Sequence, residues 1–267
     1  MEKIAIISDV HGNITALNSV LEDINKRNIK RIFCLGDCVT KCTHPDLVID
    51  KIKENCEGIL IGNCDYTICN PSAKNRNFWS RNIIGEERAE FVFSLPVSYE
   101  FYMSGHLIRL FHASPHSLNE VYNPMFSNKN SEYNHLEILS PDKLFENTEF
   151  IGKSKNDPIP DIIGFGHIHT PFLVRHKNKT IFNPGSVGVP VEMLNTDIND
   201  SSNKFSTVAS YTIIEGEFGK TDLDTISFTS VRVPYNIQKE VEDLEKSDMP
   251  YKEVIIRSLT SAIPNRV

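Results

Sequence analysis

Short apolar runs alternate with amphipathic stretches along the first third of the chain. Ile4-Ala5-Ile6-Ile7 is a continuous apolar run of strand length, as expected for a strand covered on both faces. Apolar residues then recur at Ile14, Leu17, Leu21 and Ile24, which is helical spacing, and Asn13 stands where an N-cap belongs. Arg31–Leu35 reads as a second strand, and His44–Lys53 as a helix with Pro45 in its first turn. Gly58–Ile61 reads as a third strand. A βαβαβ order of this kind predicts parallel strands joined by right-handed crossovers. In such sheets function collects at the carboxyl ends of the strands.

The pattern then changes. Glu86–Ser94 reads as a helix ended by Pro96, and Val97–Met103 and His106–Phe111 flank Ser104-Gly105 as a hairpin. Residues 116–160 are polar and rich in Asn and Ser, with one helix expected near Pro141. A stretch of that length reads as an elaborated loop, a candidate lid. Asp161–Phe165 is a further strand, and Phe172–Arg175 and Thr180–Asn183 form a hairpin about Asn178. A tight turn at Asn183-Pro184-Gly185-Ser186 and a polar loop over 195–204 follow. Thr207–Ile214 and Thr225–Val233 alternate as strands, and helices are expected near Ile237–Lys246 and Tyr251–Leu259. No internal repeat or linker divides the chain, so one domain over 1–267 is expected.

With 267 residues the chain can bury a large core without disulfide staples. A net charge of −7 argues against a broad basic face for nucleic acid. It still permits a small anionic substrate where bound metals supply a local positive field. The cysteines at 34, 38, 42, 56, 64 and 69 include no Cys-x-x-Cys pair. They read as reduced structural thiols of a cytoplasmic protein. The N-terminus lacks a basic region followed by a long apolar segment, and no run reaches membrane-spanning length. No membrane association is expected, and homo-oligomerisation stays open.

Chemistry enters where the apolar runs stop. Asp9-Val10-His11-Gly12-Asn13, Gly36-Asp37, Gly62-Asn63-Cys64-Asp65, His112-Ala113-Ser114-Pro115 and Gly166-His167-Ile168-His169 supply two carboxylates, one amide and four imidazoles. Oxygen and nitrogen donors without a thiolate set suit a pair of borderline-hard divalent metals. Two such metals are the usual apparatus for in-line attack on a phosphate ester. Asp9 and His11 can both turn to one ion. The two oxygens of Asp37 can bridge ions about 3.5–4 Å apart. Asn63 adds a neutral oxygen and so limits the negative charge. His167 and His169 can reach different ions. Each bound imidazole needs an acceptor on its other nitrogen, which the sequence does not identify. A water between the metals would be deprotonated near neutral pH and serve as nucleophile. Taken singly, Asp-x-His-Gly, Gly-Asp and Gly-Asn are turn signals and His112 a buried histidine. Their joint occurrence at strand ends favours a metal site.

The series resembles that of the calcineurin-like metallophosphoesterase superfamily, D-x-H, G-D, G-N-H, H and G-H-x-H, over roughly residues 1–190. Asn183-Pro184-Gly185-Ser186-Val187-Gly188 also resembles the turn after the last ligands in smaller bacterial and archaeal members, including YfcE-like phosphodiesterases. The resemblance implies an α/β fold, a four-layer α/β/β/α sandwich of two mixed sheets flanked by helices. It implies that Asp9, His11 and His169 hold one divalent metal, that Asn63, His112 and His167 hold the other, and that Asp37 bridges them. Mn²⁺ is the foremost candidate, with Fe, Co²⁺, Ni²⁺ and Zn²⁺ as alternatives. One departure stands out. Where many members have a His after Gly-Asn, this chain has Cys64, as YfcE-like members do, and Asp65 has no imidazole to orient. A thiol is a poor substitute acid near neutral pH. His116 is a candidate replacement, set against the plainer reading of a loop residue.

The catalytic set expected is therefore Asp37, Asn63, Cys64, Asp65 and His116. The expected activity is hydrolysis of phosphodiesters or phosphoanhydrides, dinucleoside polyphosphates included, on a small phosphorylated substrate. A phosphomonoesterase acting on protein or small molecules is an alternative. So is a non-catalytic scaffold such as the retromer subunit of this fold, although a scaffold is free to lose ligands and none of the seven is lost here.

Overall fold

The computed structural model describes residues 1–72, 78–124, 140–192 and 204–261. Two five-stranded mixed sheets lie face to face. The first is built on β1 (Glu2–Ile7), which pairs in parallel with β2 (Arg31–Cys34). β2 pairs in parallel with β3 (Gly58–Ile59). On its other side β1 runs antiparallel to β11 (Val208–Gly216), and β11 to β12 (Ser227–Pro234). The order is β12-β11-β1-β2-β3.

The second sheet begins with the hairpin β4 (Ser98–Met103) and β5 (His106–Phe111). Next come β6 (Ile162–Phe165) and the hairpin β7 (Phe172–His176) and β8 (Lys179–Asn183), in the order β4-β5-β6-β8-β7. A small ribbon pairs β9 (Val191–Glu192) with β10 (Lys204–Phe205).

Alternation within strands that are apolar on both faces builds the layers. Ile4 and Ile6 of β1, with Phe33 and Leu35, face inward and meet Phe101, Met103, Ile108, Leu110 and Phe182 of the second sheet. Ala5 and Ile7 face outward and meet Ala16, Leu17, Val20 and Ile24 of α1 (Ile14–Lys26). α1 starts as its sequence requires, with Asn13 Oδ1 accepting the Ala16 amide at 2.9 Å. α2 (Pro45–Asn55) packs beside α1 and turns Ile49 toward a further cluster with α3 (Asn63–Cys69) and α4 (Trp79–Phe93). α5 (Ile237–Lys246) and α6 (Lys252–Ser261) pair through Val241, Leu244 and Leu259.

Phe111, Ile163, Phe165 and Ile181 on the outer face of the second sheet are covered by Tyr122, Leu144 and Phe145. Among the described residues this cover is built on two 3-10 turns, Pro141–Phe145, where a helix is expected near Pro141, and Glu149–Ile151. Fully buried Arg109 ties it down. Its guanidinium donates to Glu100 Oε1 at 2.5 Å, to the Glu146 carbonyl at 3.0 Å and to Asn147 Oδ1 at 2.7 Å. The candidate lid within 116–160 includes 125–139, which lie outside the described residues, as do 193–203 of the polar loop.

Two local expectations are revised, and one short helix is added. β3 is shorter than Gly58–Ile61, because the chain leaves the sheet to place Gly62 and Asn63. α3 was not legible, since seven residues after a glycine turn carry no helical period. α4 begins seven residues before Glu86, and Gly85 at φ 73° breaks it into two pieces.

Candidate metal centre

The loops at the carboxyl ends of both sheets' strands converge on one buried cluster. Asp9, His11, Asp37, His167 and His169 all have positive φ, between 49° and 66°. This conformation is costly for residues other than glycine, on the order of 1 kcal/mol each. It is held by hydrogen bonds that continue beyond the β1–β2 pair, Asp9 N to Gly36 O at 3.0 Å, His11 N to Asp37 O at 2.9 Å and Gly12 N to Cys38 O at 2.8 Å.

The glycines of these segments make room. A Cβ on Gly62 would strike the Asp37 carboxylate and amide, and one on Gly166 would strike Ser8 Oγ and Asp9 Oδ2. From the far side, the Asn183–Val189 turn straps the cluster. Ser186 Oγ donates to Asp9 O at 2.7 Å, Val187 N to Ser8 O at 3.0 Å and Gly188 N to Asp9 O at 3.0 Å.

The ring tautomers follow from their anchors. His11 Nδ1 donates to Val39 O at 3.2 Å, His169 Nδ1 to Val189 O at 2.7 Å and His112 Nδ1 to Leu35 O at 2.8 Å. A carbonyl only accepts, so each Nδ1 carries a proton and each Nε2 points inward, where it can offer a lone pair to a cation. The Nε2 atoms of His11 and His169 stand 3.1 Å apart. Asp9 Oδ1 lies 3.2 Å from His169 Nε2 and 3.8 Å from His11 Nε2. Asp9 Oδ2 accepts the His167 amide at 3.0 Å, whereas buried Oδ1 has no donor.

Asp37 stands between two groups, with Oδ2 3.6 Å from His11 Nε2 and Oδ1 3.6 Å from His112 Nε2. In the second group Asn63 Oδ1 lies 3.0 Å from His112 Nε2 and 3.1 Å from His167 Nδ1. Buried lone pairs that face one another are unfavourable unless cations lie among them, so this donor set fits a divalent pair. Asp9–His11–His169 and Asp9–Asp37–His112 are each close enough to share an ion.

Electrostatics follow burial and charge. Burial opposes ionisation of Asp9, yet the neighbouring imidazoles of His169, His112 and His11, with His169 also within hydrogen-bond reach, hold it below the usual carboxylate range. Burial, then the Lys41 charge, drives His11 well below the usual imidazole value. Burial takes His167 down to about 4. His112 is pulled down by burial but raised on balance by Asp37 and Asp9.

All seven candidate ligands are thus brought together, and Cys64 joins them. Cys64 N donates to Asp37 Oδ1 at 2.8 Å, and its thiol can approach His11 and Asp37. Burial and the Asp37 charge push that thiol well up. Asp65 is close in sequence but has a different partner set. Its Oδ1 accepts the Cys38 and Val39 amides at 2.8 and 3.1 Å, and its Oδ2 the Gly62 amide at 3.1 Å. It joins the loop that carries Asp37 to the turn that carries Asn63. His116 is not drawn into the cluster. Its imidazole faces Glu146 Oε2 at 3.1 Å, on the segment that covers the second sheet, so an acid role finds no support in its position.

Sequence reasoning passed over Lys41. Its ammonium lies 3.0 Å from His11 Nε2, and nothing in the polar run Thr40-Lys41-Cys42 signals that approach. The six cysteines are free thiols.

A buried two-group donor set on facing mixed sheets defines a metal-dependent phosphoesterase, and the chain belongs to the calcineurin-like phosphoesterase superfamily, whose domain matches residues 2–200. It is 31% identical over 271 residues to the uncharacterized protein MJ0912 of Methanocaldococcus jannaschii, covering 92% of this chain and 93% of that one. The fold resembles the crystal structure of a metallophosphoesterase from Sphaerobacter thermophilus, with a TM-score of 0.65 at 21% identity over 98% and 99% of the two chains. It also resembles the hypothetical protein PH1004 of Pyrococcus horikoshii, with a TM-score of 0.65 at 16% identity over 97% and 98%. No helix among the described residues is long and apolar enough to cross a membrane.

Proposed function

We propose that this chain hydrolyses phosphodiesters or phosphoanhydrides, dinucleoside polyphosphates among them, with two divalent cations, Mn²⁺ foremost. In this reading Asp9, His11 and His169 hold one cation, Asn63, His112 and His167 hold the other, and Asp37 serves both. The observation that carries it is the position of Asp37, with one carboxylate oxygen toward His11 and the other toward His112. When bound, the cations supply Lewis acidity toward phosphoryl oxygens and the means to ionise water near neutral pH.

The chain's own residues do the positioning. Backbone carbonyls of Val39, Val189 and Leu35 fix three imidazoles with Nε2 inward. Cys64 bears on the leaving group. A thiol pushed well above its usual range is a weak proton donor, so departure of a strongly basic alkoxide goes unassisted. That favours nucleotide phosphates and nitrophenolates as leaving groups. The free thiols suit a reducing cytoplasm.

The test is a substrate panel on Mn²⁺-reconstituted protein with about two ions per chain by metal analysis. Bis(4-nitrophenyl) phosphate and diadenosine tetraphosphate should turn over, alkyl esters poorly, and kcat should fall steeply with leaving-group basicity. Cys64→His should flatten that dependence. A metal-loaded protein that turns over nothing on the panel defeats the reading. Rates independent of leaving-group pKa, with chemistry limiting, defeat the account of Cys64.

A further inference from the structure

Lys41 sits on a loop with no freedom to wander. Thr40 and Lys41 both have positive φ, 75° and 63°. Cys42 N donates to His11 O at 2.9 Å, His44 N donates to Gly12 O at 3.0 Å, and Asp65 grips the amides of Cys38 and Val39. The half-buried side chain is thereby aimed at the cluster, and its ammonium lies 3.0 Å from His11 Nε2. Its charge also reaches Asp37 and Cys64. Its hydrogen-bond partner is a neutral imidazole lone pair that the proposed ligand set assigns to a metal.

An ammonium and a divalent cation cannot share that lone pair. With the site loaded, Lys41 needs another acceptor. Its flexible four-carbon stem lets the three N–H donors shift while the loop stays fixed. The anion that belongs beside the metal ligands is the substrate phosphate.

We propose that Lys41 is a substrate-binding cation that favours polyanionic phosphates, and so selects phosphoanhydrides over simple diesters. The proposal rests on the phosphoesterase reading above. Its physical content is that attraction to a fixed positive charge grows with the charge of the substrate. At roughly 5 Å in a water-like dielectric, one unit charge is worth a factor of about four in affinity per substrate charge. A diester with a single charge therefore gains little. A polyphosphate with several charges near the site gains a factor of about ten or more. The effect should fade with ionic strength as the charges are screened.

The experiment compares wild type, Lys41→Gln and Lys41→Arg, all loaded with Mn²⁺, on diadenosine tetraphosphate and bis(4-nitrophenyl) phosphate. Lys41→Gln should raise KM for the polyphosphate about ten-fold and for the diester no more than about four-fold, with kcat nearly unchanged. Lys41→Arg, which keeps the charge, should retain the preference. A second readout needs no turnover. Titration of substrate-free protein with Mn²⁺ should show tighter binding in Lys41→Gln by about ten-fold, because a like charge has left the site. Equal KM changes for both substrates, no KM change, or an unaltered Mn²⁺ affinity would overturn the proposal. A wild type that binds Mn²⁺ but turns over neither substrate overturns the phosphoesterase reading instead.

Discussion

Gly62→Ala isolates one physical cause. Gly62 has φ −96° and ψ 174°, an extended backbone that any residue adopts, so alanine meets no dihedral penalty there. Through the unfolded state alone the substitution would stabilise by about 0.4–1 kcal/mol. Any loss is therefore steric. The new Cβ would lie 2.8 Å from Asp37 Cγ and closer still to its Oδ1 and amide nitrogen. That carboxylate cannot step aside freely, because Oδ1 accepts the Cys64 amide at 2.8 Å and Oδ2 faces His11. Overpacking costs about 1–3 kcal/mol, and loss of a hydrogen bond to a charged group about 1.5–3 kcal/mol. Offset by the unfolded-state gain, the net cost is about 3 kcal/mol. For a chain of this length that is a fall in Tm of roughly 6–12 °C. Thermal and urea unfolding measure the stability, and Mn²⁺ titration measures the site. Affinity should fall by more than about ten-fold, since about 1.4 kcal/mol of displaced bridging suffices for that. A variant within about 1 kcal/mol of wild type, with unaltered Mn²⁺ binding, would refute the steric account of this glycine.

Three other outcomes follow. Asp37→Ala should abolish stoichiometric loading of the second Mn²⁺, read by metal analysis, because the carboxylate that faces both histidine groups is gone; full metal content with full activity would contradict the ligand assignment. Arg109→Met should cost about 3–5 kcal/mol in urea unfolding, since it strands the buried side of Glu100 and two acceptors of the 146–147 segment. Tyr211→Phe removes the hydroxyl that donates to Asp23 Oδ2 at 2.7 Å and should cost about 1 kcal/mol at pH 7. Burial pushes the Asp23 carboxyl up, but the bonds from Arg27 and Tyr211 hold it below the usual carboxylate value. A depressed carboxylate contributes fully above its unfolded pKa of about 3.9 and less as pH falls further, so the Tyr211→Phe deficit should be constant from pH 5 to 7 and shrink below about pH 4.

Local periodicity was sufficient for most of the architecture. Ile4–Ile7, the α1 face from Leu17 to Ile24 and the Ser104-Gly105 hairpin each state their own burial, because a residue's face within a strand or helix is fixed by its spacing. The seven candidate ligands were legible for a related reason: most stand where an apolar run stops at a turn, and strand ends of such sheets face one edge. Where the period is short or broken, as in α3 and across Gly85 in α4, the pattern carried no signal.

What only the tertiary structure decided depends on atoms that have no residue-type signature or on segments far apart in the chain. The acceptors that set the histidine tautomers are the backbone carbonyls of Val39, Val189 and Leu35, and every residue has a carbonyl. The strap from Ser186 to the Asp9 carbonyl spans 177 positions, and its reach is set by how the two sheets pack. The same packing brings Lys41 to His11 and draws His116 to Glu146. The sequence by itself determined which donors the chain has and that they stand at strand ends. Their meeting in one buried cluster, the lone pairs they turn inward and the ammonium beside them were decided by the docking of one sheet on the other, because Coulomb and hydrogen-bond energies depend on distances that sequence spacing does not encode.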